Sequence, residues 1–127
     1  MKVLVDYLTM TSKIHDHWYF LEQLGLQECG FIEMPGRYGW QNRLYYRGVS
    51  VLFGGSREDV CLEISGTGCR TVEELSGNTF DWFRFLQGFE LDIRIGEVNV
   101  SRLDIAGDDH DGILSFQRMV KHGDEGR

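Results

Sequence analysis

The residues best placed to do chemistry in this chain are acids with an arginine among them. Arg102, Asp104 and Asp108 recur at even positions along Val98–Asp109, and Glu63 lies in a second alternating stretch, Val60–Ser65. Period-two alternation marks a half-buried strand, whose successive side chains point to opposite faces. On that pattern Leu103 and Ile105 share one face with Asn99 and Ser101. Val98, Val100, Arg102, Asp104 and Ala106 share the other, with Asp108 following. An ionised group cannot be buried alone without a large desolvation cost, so this second face is solvated, internally paired or holding a cation. Carboxylates at a strand end suit a hard divalent ion such as magnesium or manganese. The candidate metal ligands are therefore Asp104, Asp108 and, from a neighbouring strand, Glu63. An Arg102–Asp104 ion pair on an exposed sheet face accounts for the same spacing.

A second chemistry comes from aromatics interleaved with arginines. Tyr38, Trp40, Tyr45 and Tyr46 alternate with Arg37, Arg43 and Arg47, a mixture able to stack on bases and hold phosphates. Cross-strand pairing of aromatics accounts for the same composition. The net charge of −7 counts against a wholly basic nucleic-acid binder. Yet ten of the thirteen basic residues are Arg, the side chain suited to forked phosphate contacts, so a local basic patch is compatible with the total. Ser65-Gly66-Thr67-Gly68-Cys69-Arg70 is glycine-rich enough to suggest a phosphate cradle. It lacks the Lys-Ser/Thr of a nucleotide-binding loop and reads as a turn. Cys29, Cys61 and Cys69 have no zinc-ligand spacing, and the four histidines form no paired motif.

These side chains need a scaffold, and 127 residues suffice for one core. Hydrophobic residues make up 42%, too many for disorder, and no apolar run reaches the ~18 residues of a membrane span. Strands are expected at Val3–Met10, with Val3, Val5 and Tyr7 alternating against Leu4, Asp6 and Leu8, and at Phe31–Met34, Leu44–Tyr46, Val49–Phe53, Val60–Ser65 and the opening stretch. Arg47-Gly48 is a hairpin turn. Thr11 and Ser12 cap a helix over Ile14–Leu24 whose apolar positions are Ile14, Trp18, Leu21 and Leu24, and Gly25 ends it. Thr71 caps a short helix with Glu74, Phe80–Leu86 is a helix, Leu91–Ile95 is strand or loop, and Ile113–Val120 is a last amphipathic helix. The sum is an α+β domain over residues 1–120, a largely antiparallel sheet with helices on one face, followed by a polar tail at 121–127. Its start has no signal-peptide pattern, so a cytoplasmic location is expected.

Four segments in this order, Val5-Asp6-Tyr7-Leu8-Thr9, Gly36-Arg37-Tyr38-Gly39-Trp40, Leu62-Glu63-Ile64-Ser65-Gly66-Thr67-Gly68-Cys69-Arg70 and Ser101–Asp109, resemble the N-terminal part of Rep_trans-type rolling-circle replication initiators. That group includes the MobT-like relaxases of mobile genetic elements. The resemblance implies a domain that binds origin DNA, single-stranded or as a hairpin. It also implies part of a metal-dependent nicking site, with Asp104 and either Asp108 or Asp109 near a divalent ion and Arg102 near the phosphate, and host replication or conjugation proteins as further partners. The DNA contacts it suggests are Arg102, Arg70, Arg43, Arg47, Tyr45 and Trp40. The family's nucleophilic tyrosine lies further along than this chain extends, so the chain is expected not to nick DNA alone. A protein-interaction or regulatory module without DNA cleavage is the other reading.

Overall fold

The computed structural model of the chain describes residues 4–106 and Arg118. Among them, ten elements follow in the order β1 (Leu4–Ser12), α1 (His17–Leu24), β2 (Ile32–Pro35), β3 (Asn42–Tyr46), β4 (Val49–Phe53), β5 (Val60–Ile64), α2 (Gly66–Leu75), α3 (Trp82–Gln87), α4 (Glu90–Arg94) and β6 (Val98–Ala106). All strands join one antiparallel sheet in the order β2-β3-β4-β5-β1-β6. The expected α+β architecture is therefore present. The helix expected at 113–120, the tail and Asp108 lie outside the described residues.

The core follows from cross-strand register. Leu44, Val51, Leu62, Met10 and Val100 stand directly opposite one another across five strands, and Val49, Ile64, Leu8 and Leu103 form the adjoining row. The helices seat Phe20, Leu21, Leu24, Cys69, Val72, Trp82, Phe85 and Leu86 on this face, together with Phe89 and Ile93. Each fully buried large apolar side chain contributes roughly 1.5–3 kcal/mol relative to exposure. Among the described residues no helix is long and apolar enough to cross a membrane.

Two bulges correct the face assignments made from alternation. Thr9 pairs with Arg102 and Met10 with Val100, which leaves Ser101 unpaired in β6; Val5 pairs with Ile105 and Tyr7 with Asp104, which leaves Asp6 unpaired in β1. An extra residue in one strand shifts its alternation by one. Val98 and Val100 therefore lie on the core face with Leu103 and Ile105, not with Arg102 and Asp104. Likewise Val5 joins Leu8 and Met10 in the core while Tyr7 points the other way. Leu103 and Ile105 pack on the core, as expected, and Arg102 and Asp104 lie exposed on the opposite side.

Local chemistry explains the other departures. Thr11 and Ser12 continue β1, and the cap of α1 is Asp16, whose carboxylate accepts from the Tyr19 N–H at 2.8 Å. Ile14 and Trp18 stay about half exposed, and α1 buries Phe20, Leu21 and Leu24 instead. Gly25 ends it in the left-handed region, as expected. Leu91–Ile95 is not extended: α4 covers most of it.

The segment expected to be a turn, Ser65–Arg70, is instead the start of α2. Ser65 is the cap, its Oγ accepting from the Gly68 N–H at 3.3 Å. The β3–β4 turn packs directly on this helix start. Arg47 and Gly48 both have positive φ, as a tight two-residue hairpin needs. The Ser65 N–H donates to the Gly48 carbonyl at 3.1 Å, and the Thr71 hydroxyl donates to that of Arg47 at 2.9 Å. A Cβ on Gly68 would overlap the Gly48 carbonyl. The glycines serve backbone approach.

Candidate functional site

The helices pack on one face of the sheet; the other carries most of the chain's arginine–aromatic chemistry. Register places on it Asn99, Arg102 and Asp104 from β6, Tyr7, Thr9 and Thr11 from β1, and Cys61 and Glu63 from β5. Ser50 and Leu52 of β4, Arg43 and Tyr45 of β3, and Ile32 and Met34 of the edge strand β2 complete it. One cross-strand row runs Arg102, Thr9, Glu63, Ser50, Tyr45, Ile32. With strands about 4.8 Å apart, that row spans about 24 Å.

Two loops partly roof this face around a small apolar cluster of Trp40, Leu52 and Cys61. The first turns back sharply at Tyr38 and Gly39, both with positive φ, and the Trp40 N–H donates to the Arg37 carbonyl at 3.1 Å. Trp40 is only 6% exposed, and its indole N–H donates to the Asp59 carbonyl at 2.7 Å. The Arg57 guanidinium lies 3.7 Å from the Trp40 ring centre and holds both oxygens of the Asp59 carboxylate, at 3.0 and 2.9 Å. Arg57 also donates to the Tyr38 carbonyl at 3.0 Å, tying the two loops together.

All four arginine–aromatic stacks found among the described residues lie here. Arg102 sits over Tyr7 at 3.8 Å, Arg57 over Trp40, Arg43 over Tyr45 at 4.9 Å and Arg37 against Tyr38 at 5.1 Å. Three of the arginines are matched by acids. Arg37 pairs with Glu63, Arg57 with Asp59 and Arg102 with Asp104, the last at 2.9 Å. Arg43 differs: its guanidinium donates twice to the Ser50 hydroxyl, at 3.1 and 3.0 Å, and no carboxylate among the described residues pairs with it. Burial, and after it the Glu63 charge, pushes the Tyr7 phenol above its ordinary value, opposed by Arg102 and Arg37. The Asp104 hydrogen bond raises Arg102 further. Both groups hold their protons at neutral pH.

The sequence-based candidates divide between the two sides of the sheet. Arg102, Asp104, Glu63, Arg43, Tyr45 and Trp40 gather on the helix-free face. Trp40 is a buried brace there, its ring covered by Arg57. Arg47 and Arg70 are elsewhere. Arg47 reaches Glu74 of α2 at 3.4 Å, so the β3–β4 hairpin sends Arg43 and Arg47 in different directions. Arg70 bonds the Val5 carbonyl at 2.6 Å, Asp6 at 3.3 Å and Glu73 at 2.9 Å. It clamps α2 to the β1 bulge. Tyr7 and Arg57 also belong to this face, without a signal in the sequence that marks them. Tyr7 lies in a stretch whose alternation is broken by the bulge, and Arg57 sits in a loop with no periodic signal.

The same face holds two of the three candidate metal ligands, Glu63 and Asp104. Glu63 and Asp104 are separated by β1 and offset by two residues along it, a backbone distance of about 12 Å, and each is engaged by an arginine. Among the described residues no three His, Cys, Asp or Glu side chains converge as a metal site. Asp108, the third candidate ligand, is outside those residues. Glu63 and Asp104 do not by themselves assemble a cation site.

Comparison with known proteins brings one match. Residues 2–88, more than half of the 127, match the family model described as the rolling circle replication initiation protein N-terminal domain. The match ends before α4 and β6, so Arg102 and Asp104 lie beyond it. No curated protein and no solved structure matches the chain. The chain belongs to the rolling circle replication initiation protein N-terminal domain family.

Proposed function

We propose that this domain binds single-stranded origin DNA on the helix-free face of its sheet. The observation that supports it is the gathering of all four arginine–aromatic stacks on that one face. Unpaired bases stack on aromatic rings regardless of sequence, and arginines beside those rings take the phosphates. Tyr45 and Tyr7 supply ring faces three strands apart and two residues out of row, about 16 Å, with Arg43 and Arg102 beside them. Arg43 is the leading phosphate contact, because no carboxylate among the described residues pairs with it and its partner Ser50 is neutral. Family membership supports origin DNA as the ligand, since replication initiation acts there. Host replication or conjugation proteins are further proposed partners, and a contribution to metal-dependent nicking would need ligands from outside the described residues.

The test is fluorescence anisotropy of a labelled single-stranded oligonucleotide against a salt series. One lost phosphate contact lowers the log–log salt slope by about 0.7 for single strands, a loss of about fivefold in affinity near 0.1 M salt. Arg43→Ala should show that change, while Arg84→Ala, on α3 in the helix layer, should not. An Arg43→Ala slope and affinity equal to the parent's would refute this face as the DNA site.

A further inference from the structure

On the proposed DNA-binding face, three of the four arginines already hold a carboxylate: Arg37 with Glu63, Arg57 with Asp59 and Arg102 with Asp104. We infer that these acids are specificity-determining competitors of phosphate, which hold duplex DNA off the sheet and leave the face to strands whose bases can stack. The inference rests on the proposed function but concerns acids that function does not use.

The physical argument is one of charge against stacking. The four arginines and three acids leave the face about one positive charge, far less than duplex binding ordinarily draws on. Duplex affinity comes largely from phosphate neutralisation, with a salt slope of about −0.9 per contact against about −0.7 for a single strand. A ligand gripped by its backbone alone must break an ion pair for each arginine it engages beyond Arg43. A single strand recovers that cost by stacking bases on Tyr7 and Tyr45, each stack contributing on the scale of a strong contact. A duplex keeps its bases stacked on each other and recovers nothing. Asp59 and Asp104 are well placed to compete because each grips its arginine directly: Arg57 forks onto both Asp59 oxygens, and Arg102 lies 2.9 Å from Asp104. Arg102 also lies over the Tyr7 ring, so a nucleotide that reaches that ring meets the arginine with it, while Arg57 covers the buried Trp40 and meets the nucleotide from outside.

Two opposite roles for the acids predict opposite signs. If they only aim the arginines, neutralising them loosens the guanidinium groups and weakens binding. If they compete, neutralising them frees two cations. The experiment compares the full chain with its Asp59→Asn/Asp104→Asn double variant, binding a labelled oligothymidine and a labelled mixed-sequence duplex across a salt series. Near 0.1 M salt, two new phosphate contacts give about 25-fold tighter single-strand binding and about 60-fold tighter duplex binding. The single-strand preference should fall by about 2.5-fold while both salt slopes steepen. Circular dichroism confirms that the variant is folded, and the single variants Asp59→Asn and Asp104→Asn, each expected to give part of the gain, serve if the double variant is not. Weaker or unchanged duplex binding by folded variants would overturn the inference. Arg43→Ala measured alongside reports on the face itself: its loss of binding, with no gain from the Asn variants, rejects competition and keeps the proposed site.

Discussion

Replacing Trp40 tests whether the loops on the helix-free face are held by the small cluster beneath them. The ring is 6% exposed, with Leu52 and Cys61 in its cluster and Arg57 over its face, and its N–H donates to the Asp59 carbonyl. Removing a buried tryptophan to alanine costs about 3–5 kcal/mol from lost burial and the cavity left behind, and a middle value of about 4 kcal/mol suits a cluster of three residues. Phenylalanine keeps most of the apolar ring and loses the hydrogen bond, about 1 kcal/mol, or somewhat more because the Asp59 carbonyl is left without its donor. At about 4 °C per kcal/mol for a chain of this size, Trp40→Ala should lower Tm by about 16 °C and Trp40→Phe by about 4–8 °C. The assay is urea and thermal unfolding followed by far-ultraviolet circular dichroism, which does not depend on tryptophan emission. Single-strand affinity supplies a second readout. With the loops kept, Trp40→Phe should bind within about twofold of the parent, while Trp40→Ala, which frees the two loops over the face, should bind more weakly than Trp40→Phe. A stability loss below about 1 kcal/mol in Trp40→Ala would refute the bracing role. Equal losses of affinity in both variants would show that the indole itself meets the DNA.

Gly68→Ala should cost about 2–3 kcal/mol in urea unfolding, because its Cβ meets the backbone of Gly48, which cannot swing aside; a midpoint matching the parent's would show that α2 can slide away from the hairpin. Arg70→Ala should lose about 1–2 kcal/mol through the Val5 carbonyl bond, its exposed ion pairs adding little, and should leave the single-strand salt slope untouched; a slope lowered by about 0.7 would return Arg70 to the DNA site. Burial pushes the Cys61 and Cys69 thiols up to about 12 from an ordinary 9.0. Below that ordinary value both folded and unfolded chains hold these protons and the stabilisation is complete. As pH rises through the window the unfolded chain releases them first, so stability should fall with increasing pH. Unfolding midpoints at about pH 8 and about pH 10.5 read this out, and a midpoint that rises over the interval contradicts it.

The sequence was most readable where one local rule acts alone. The β3–β4 hairpin announces itself through Arg47-Gly48, and β5 through the clean alternation of Val60, Leu62 and Ile64 against Cys61 and Glu63, all found as expected. Readings failed where two rules compete. Ser65 and Thr71 are both capping residues, and only the packing of Gly68 on Gly48 selects the earlier one and draws the glycines into the helix. Leu91–Ile95 is too short for its periodicity to separate helix from strand, and the Glu97 N–H donating to the Asp92 carbonyl closes it as a helical turn.

The bulges at Asp6 and Ser101 show why the site itself was harder to read than the fold. Alternation is a relative signal: it says which neighbours share a face and loses count wherever one residue goes unpaired. On either side of Ser101 the pattern is regular, so alternation alone assigns Val98 and Val100 to the face of Arg102 and Asp104, although the bulge separates them. Had β6 been regular, either the two valines or the two charged residues would have been on the wrong side of the sheet. The Asp6 bulge does the same for β1, keeping Val5 in the core while Tyr7 turns to face Arg102. The extra residue is not idle there, since the Asp6 carboxylate bonds Arg70 of α2. The Arg102–Tyr7 stack, the part of the site nearest the acids, thus depends on two irregularities in adjacent strands. Each of these compensates a break in a hydrophobic pattern, and neither has a residue type that would announce it.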